Sequence, residues 1–431
     1  AFKMTLSWLQ IFRVGLVQMA LGAIVVLTTS TLNRLMVVEF SLPAILPGML
    51  VGLHYGIQLS RPRWGFTSDT GGNRTKWIIG GMITLAMGGF GAAYAVTLFA
   101  QSYALALTLS IITYALIGIG VGASGTSLLA LMATATAPHR RAAAATITWL
   151  MMIFGIALTA GLAGSFLDPY SPQRLLTVVG VIVIAAIILT TFAIYGIERR
   201  VTAAKPEPHT PFMEGLRDVW AERKTRNFTL FIFLSMNAYF MQELILEPYA
   251  GLVFGFTPGQ STSLSGMQNG GVFVGMLTVG IVATGLKIGS LRAWVMAGCL
   301  GSAGVLIMLA LSGFAQTQIS LQSLVIALGF FNGMFAVAAI GSMMALASEG
   351  REQREGTRMG LWGASQAIAA GFGGLTGAAL VDISRGFIAD GPAFGSVFAF
   401  EALLFLAAAL MAARVMEVRS AAPAASMVPG E

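Results

Sequence analysis

The sequence predicts an all-α membrane protein, twelve transmembrane helices in two pseudo-symmetric six-helix bundles, on three observations. Hydrophobic residues make up 56% of the 431 and charged residues 10%, with a mean hydropathy of +0.80, more apolar surface than one water-soluble core can bury. Twelve apolar runs are long enough to cross a bilayer: 14–32, 42–60, 77–100, 104–134, 142–167, 174–196, 227–250, 262–286, 292–315, 319–347, 357–381 and 392–414. With both termini placed inside, 22 of the 25 Lys and Arg residues fall in inside segments and only Arg34, Arg174 and Arg385 fall outside. Such an asymmetry is the mark of an even number of spans with cytoplasmic ends.

Each element follows from that frame. Trp8 and its apolar neighbours predict an interfacial helix feeding the first span; no cleavable signal is read in the opening residues. Residues 1–196 then form the N-terminal bundle. Residues 197–226, with Lys205, Pro206, Pro208 and Pro211, form a cytoplasmic linker too short for a domain, in which Phe212, Leu216, Val219 and Trp220 predict a surface helix over 211–226. Residues 227–416 form the C-terminal bundle and 417–431 a cytoplasmic tail. The 52 glycines allow close helix approach, as in the spacings Gly118–Gly122, Gly271–Gly275 and Gly373–Gly377. A weak repeat relates the halves at an offset of 213: Arg141 meets Arg354, Trp149 meets Trp362, and Gly120, Gly161 and Gly164 meet Gly333, Gly374 and Gly377.

Composition also excludes functions. A pI near 9.8 reflects membrane orientation here, since the bases lie in short loops rather than on a soluble nucleic-acid-binding face. One cysteine, Cys299, excludes an internal disulfide framework or a cysteine-based metal cluster. No nucleotide loop and no nucleophile–base pair at recognisable spacing is present, so no catalytic residue and no enzyme activity is expected.

The connection after the second run reads Gly65-Phe-Thr-Ser-Asp69-Thr-Gly71-Gly72-Asn-Arg74. Its glycines suit a tight turn and its carboxylate suits a helix start or a neighbouring base. It resembles the cytoplasmic loop of the major facilitator superfamily, though Thr70 stands where a basic residue is usual and the second-half loop Gly285-Leu-Lys-Ile-Gly289 lacks the Asp. Just before it, Thr31-Leu-Asn33-Arg34-Leu-Met-Val-Val-Glu39-Phe and Leu42-Pro43-Ala44, together with Arg61-Pro-Arg63 and Ser68-Asp69, resemble the PucC/LhaA, or bacteriochlorophyll delivery, family of photosynthetic bacteria. That resemblance implies a multi-pass protein of the bacterial inner, intracytoplasmic photosynthetic membrane that assembles light-harvesting antenna complexes. It further implies bacteriochlorophyll, and with it a carotenoid, as pigments, and antenna polypeptides, the reaction-centre core complex and lipids as partners, without nucleic acid. Asn33, Arg34 and Glu39 are then candidates for pigment or partner contact, with an interfacial loop and a local ion pair as the structural alternative.

Ionisable residues within the membrane are costly and seldom without a partner or task. His54 falls near mid-membrane in the second run, where it either ligates a bacteriochlorophyll magnesium or bonds to a neighbouring helix; no other metal site is expected. Glu401 lies mid-membrane in the twelfth run, as a neutral donor to a pigment keto group or partner helix, or within its own bundle. Glu243 and Glu247 are expected at the interface, with Glu247-Pro248 ending the seventh run. The middles of the first, fourth, fifth, eighth, tenth and eleventh runs carry no Asp, Glu, Lys, Arg or His, which favours an apolar cargo or no through-transport over proton-coupled uptake of a polar solute. The reading is therefore an antenna assembly factor, the alternative a major facilitator transporter of an amphiphilic small molecule. Topology reporters fused after residue 205 are expected to report cytoplasmic and those at 168–174 periplasmic; reversed accessibility overturns the twelve-span reading.

Overall fold

The computed structural model describes residues 5–61, 64, 73–137, 140–200, 212–315, 319–347 and 355–416. They are helical throughout their ordered elements. Eleven helices are long and apolar enough to cross a membrane: α1 Trp8–Glu39, α3 Arg74–Ala100, α4 Tyr103–Met132, α5 Ala143–Leu167, α6 Pro172–Arg199, α7 Arg223–Phe254, α8 Pro258–Ala283, α9 Leu291–Phe314, α10 Leu321–Met343, α11 Ala364–Arg385 and α12 Asp390–Val415. The remaining one, α2 (Ile45–Ile57), continues as a 3₁₀ turn, Gln58–Ser60. We call the end carrying the α1–α2 turn distal and the end carrying Ser7 and Met416 proximal.

Local sequence explains where the helices start. Ser7 and Gln10 form a capping box at the head of α1, and Thr257 with Gln260 forms another on α8, where Pro258 needs no amide partner. Asn73, Ser102, Ser171 and Ser290 cap α3, α4, α6 and α9 through side-chain oxygens. Glu198 reaches across from the end of α6 to accept the Arg74 and Thr75 amides at 2.8 and 2.9 Å, a carboxylate on a helix N-terminus.

Packing follows one pattern twice. α1 packs on α5 and α6, α3 on α4 and α6, and α2 on α4; six helices later, α7 packs on α11 and α12, α9 on α10 and α12, and α8 on α10. Two further pairs, α2 with α11 and α5 with α8, cross between the sets. The buried apolar residues gather accordingly into one cluster from Leu6 to Ile197, joined by Leu244, and another from Phe228 to Met416. Glycines set the closest approaches: a Cβ at Gly81 would stand 2.5 Å from the Ser124 amide, and one at Gly120 2.5 Å from that of Leu85.

Several expected boundaries move. Trp8 is the first residue of a continuous α1, not part of a separate interfacial helix, and it lies under the Arg140 guanidinium at 4.8 Å. α1 continues to Glu39 through two π-type stretches, Leu27–Thr31 and Leu35–Glu39, so Asn33 and Arg34 are helical rather than in a loop. The surface helix ends at Ala221, with Val219 buried and Trp220 exposed rather than sharing a face, and α7 starts four residues early at Arg223 because Glu222 is its N-cap. α7 does not end at Glu247-Pro248: it breaks at 242–245 and resumes as Leu246–Phe254, where Pro248 sits in a first turn that tolerates it. Gly65, Asp69, Gly71 and Gly72 lie outside the described residues, as does Arg354.

A methyl or larger group at Gly81 meets main chain, whereas one at Gly80 meets nothing within 4 Å. Gly81→Val is expected to cost about 1–3 kcal/mol and to lower the thermal unfolding midpoint in detergent, with Gly80→Val as the unaffected control. Equal midpoints would show that α3 and α4 do not pack on these glycines.

Candidate functional site

The polar groups that cross between the two halves gather at the distal end, around the last turns of α1. Thr28 and Thr29 return their hydroxyls to the Val25 carbonyl at 2.8 and 3.0 Å, and the widened turn leaves the next side chains facing α7 and α8. Thr31 Oγ1 meets Thr262 Oγ1 at 2.9 Å. Asn33 Nδ2 donates to the Leu244 carbonyl at 2.8 Å, a group without an i+4 partner because residue 248 is a proline with no amide N–H. Arg34, 2% exposed, donates to the Phe256 carbonyl at 2.6 Å and to Ser261 Oγ at 3.4 Å, and pairs with Glu39. One guanidinium thus joins α1, its own C-terminal carboxylate and the α7–α8 turn.

Two carboxylates extend the seam. Asp168, after α5, accepts from Thr257 Oγ1 at 2.5 Å and from the Gly259 amide at 3.1 Å. Asp382, near the end of α11, accepts the Ala44 and Ile45 amides at the head of α2 at 2.8 and 2.7 Å. Tyr170 stands beside Arg34 and Glu39 with its hydroxyl unpartnered, and burial, reinforced by Glu39, pushes its phenol above the usual range.

Deeper in the seam the lining turns aromatic. Tyr55 of α2 faces Phe240 of α7 with ring centroids 6.4 Å apart, Phe240 packs edge-on against Tyr239 at 5.1 Å, and Glu243 lies within electrostatic range of both tyrosines. His54 stacks on Tyr55 at 4.3 Å and is buried. Its Nδ1 is 3.0 Å from Gln58 Nε2, while Gln58 Oε1 accepts from Arg61 at 2.8 Å. Arg61 only donates, so the Gln58 atom it meets is the oxygen; the amide then donates to His54 Nδ1, and the imidazole proton sits on Nε2. That N–H has no partner, nor have Asn237 Oδ1 and Gln242 Oε1.

Asn33, Arg34 and Glu39 therefore come together, but as a clamp between the halves rather than in an exposed loop. His54 is separate from them, and Glu401 is separate from both: it lies fully buried in the C-terminal core between Phe398 and Phe405 with neither oxygen bonded. Arg74 opens α3, 6% exposed. Glu247 is buried within the protein. It is 2% exposed, beside Arg34, Ser30 and Ser265 yet short of hydrogen-bond geometry with them. Sequence reasoning passed over Tyr55, Tyr239, Thr262, Asp168 and Asp382; the two aspartates were legible as acids at the distal helix ends, whereas the tyrosines and Thr262 carry no signal without a partner across the seam.

A family model described as "PUCC protein" matches residues 31–420. The chain is 64% identical over 429 residues to the "Bacteriochlorophyll synthase 44.5 kDa chain" of Rhodobacter capsulatus, across 99% of this chain and 100% of that one. It is 29% identical over 418 residues to "Protein PucC" of Cereibacter sphaeroides, across 92% and 90%. Among solved structures it is similar to the nucleoside transporter NupG, with a TM-score of 0.65 at 12% identity over 95% and 100% of the two chains. A bacterial homologue of the human lysosomal transporter Spinster, inward-facing and unoccupied, gives 0.64 at 15% over 94% of each. These likenesses show the fold, that of the major facilitator transporters.

Loss of the Arg34 bonds should loosen the distal seam. Arg34→Met removes charge-assisted bonds worth about 1.5–3 kcal/mol, which corresponds to a labelling rate about tenfold or more higher for Thr262→Cys with a membrane-impermeant maleimide, in a Cys299→Ala background. An unchanged rate would mean that the seam is held without Arg34, by the α2–α11 and α5–α8 contacts and the Asp168 and Asp382 bonds.

Proposed function

The chain belongs to the PucC protein family, and from that membership we propose that it serves the assembly of photosynthetic antenna complexes, holding bacteriochlorophyll at the seam between its halves. Membership rests on the match over residues 31–420. The observation that carries the pigment reading is the aromatic contact of Tyr55 with Phe240 and of Phe240 with Tyr239 across the seam, with buried, unpartnered polar atoms on the same two helices, His54 Nε2 on α2 and Asn237 Oδ1 and Gln242 Oε1 on α7. A flat, largely apolar macrocycle with a few carbonyl and ester groups matches that chemistry, because an unpaired buried polar atom is stabilised by a ligand that completes it.

In this reading His54 presents an N–H to a pigment carbonyl while Gln58 and Arg61 hold its other nitrogen. Axial ligation of magnesium needs the Nε2 lone pair, and so needs the Gln58 amide to turn away and Arg61 to lose its acceptor. The Arg34 clamp, with Asn33 and Glu39, ties the two halves together at the distal end. Antenna polypeptides are the receiving partners, and the photosynthetic inner membrane, with both termini cytoplasmic, is the setting. Glu401, buried in the C-terminal half with neither oxygen bonded, is the candidate neutral donor to a pigment keto group or partner helix. The synthase-chain name of the Rhodobacter capsulatus relative agrees with a place beside pigment synthesis; handling the product, without making bonds, is the role assigned here.

Purified from photosynthetic membranes, the protein is expected to carry bacteriochlorophyll absorption, and a strain lacking it to lose antenna absorption. His54→Phe should lower bound pigment at unchanged protein yield, while His54→Gln, which retains an amide donor, should keep it. Loss with Gln as well as Phe would point to magnesium ligation. Full pigment and normal antenna levels in a null strain would overturn the assembly reading, and solute flux coupled to a proton gradient would establish the transporter alternative.

A further inference from the structure

Away from the seam, α1, α5 and α6 enclose a lateral groove of about 920 Å³ that opens toward the membrane. Its floor is shallow because the residues there are small, among them Ala20 and Ala23 of α1, Gly155 of α5 and Ala185 of α6. Its rims stand proud: Leu162, Phe166 and Val181 are more than half exposed. Along α6 the lining runs from Ser171 to Leu189, about 27 Å at 1.5 Å per residue, close to the ~30 Å of a bilayer's hydrocarbon core. The groove is thus a slot the length of the membrane, apolar along its course.

The distal mouth differs. Arg174 stands there with Gln173 and Thr177. The other two distal arginines each pair with a carboxylate five residues on, Arg34 with Glu39 and Arg385 with Asp390. Arg174 is exposed, and its guanidinium donates from Nη1 to the Phe166 carbonyl at 3.1 Å. Asp168, the acid closest in sequence, is taken by Thr257 and Gly259. Among the described residues no carboxylate lies within ion-pair distance of Arg174. A cation whose remaining donors are open, above an apolar slot, complements a molecule with an anionic head and long apolar chains.

We propose that this groove is a binding site for an anionic phospholipid of the distal leaflet, its phosphate on Arg174 and an acyl chain along α6. The site is independent of the pigment reading and uses none of its residues. A bound lipid would fill the gap between α5 and α6, whose contact with each other is slight beside the contact each makes with α1. It would thereby brace the N-terminal half from the side.

The test is native mass spectrometry of the detergent-purified chain titrated with phosphatidylglycerol and phosphatidylcholine. The wild type is expected to retain phosphatidylglycerol at least about fivefold better, the scale of one partly exposed charge-assisted contact. Arg174→Gln should bring the two lipids to parity, Arg174→Lys should keep most of the preference, and Ala185→Phe, at an exposed position in the slot, should reduce retention of both. Parity in the wild type, or an undiminished preference in Arg174→Gln, overturns the site. A photoactivatable residue at Val181 in mixed vesicles supplies a readout that needs no arginine variant: preferential labelling of phosphatidylglycerol supports the proposal, and labelling of a polypeptide or of both lipids equally overturns it.

Discussion

A guanidinium buried at the end of α1 is the contact on which the arrangement of the two halves depends. Arg34 would be prohibitively placed in lipid, and its position is tolerable because the α7–α8 turn supplies the Phe256 carbonyl and Ser261 hydroxyl and its own helix supplies Glu39. The partners come from 222 and 227 residues away in sequence, so this bond forms only when both halves are folded and apposed. It also sets the register: with Arg34 anchored, Thr31 reaches Thr262 and Asn33 reaches Leu244 one turn deeper.

The break in α7 is the other side of the same constraint. Irregular backbone at membrane depth is tolerated where protein covers its free carbonyls, and Asn33 covers that of Leu244. The break in turn orients Glu247 toward Arg34 and leaves Tyr239 and Phe240 facing Tyr55. A clamp at the distal end, an aromatic lining beneath it and a broken helix between them thus form one mechanical unit, shared by α1, α2 and α7. The repeated packing pattern explains why such a unit lies at the seam: α2–α11 and α5–α8 make the largest contacts across it, with smaller ones from the end of α1 to α7 and α8, and the distal carboxylates Asp168 and Asp382 each tie one half to a helix start or turn of the other.

How much of this was legible depends on whether a residue's partners are close in the chain. His54 was singled out because an imidazole among apolar residues stands out in any window; it is buried, and its bond is to Gln58 on its own helix rather than to a neighbouring one. Its hydrogen-bonding was partly local too, because Gln58 and Arg61 follow one and two turns later on the same face. Asn33, Arg34 and Glu39 were noticed but misplaced in a loop, because hydropathy scores a buried, paired Arg as it scores an exposed one. Pro248 was read as an end when it is tolerated just inside a restarted helix.

Composition and apolar run length by themselves determined a polytopic helical membrane bundle, since the bilayer imposes those demands on each segment separately. Caps such as Ser7–Gln10 and Thr257–Gln260 were equally local. What only the tertiary structure decided was the helical state of residues 33–39, the break at 242–245, the tautomer of His54 and the meeting of Tyr55 with Tyr239 and Phe240. Each of these depends on a polar or aromatic group satisfied by a partner in the opposite half or on a neighbouring turn. Such a group is costly in lipid until its partner arrives, so the energy that chooses its conformation lies in the pair and not in either stretch of sequence.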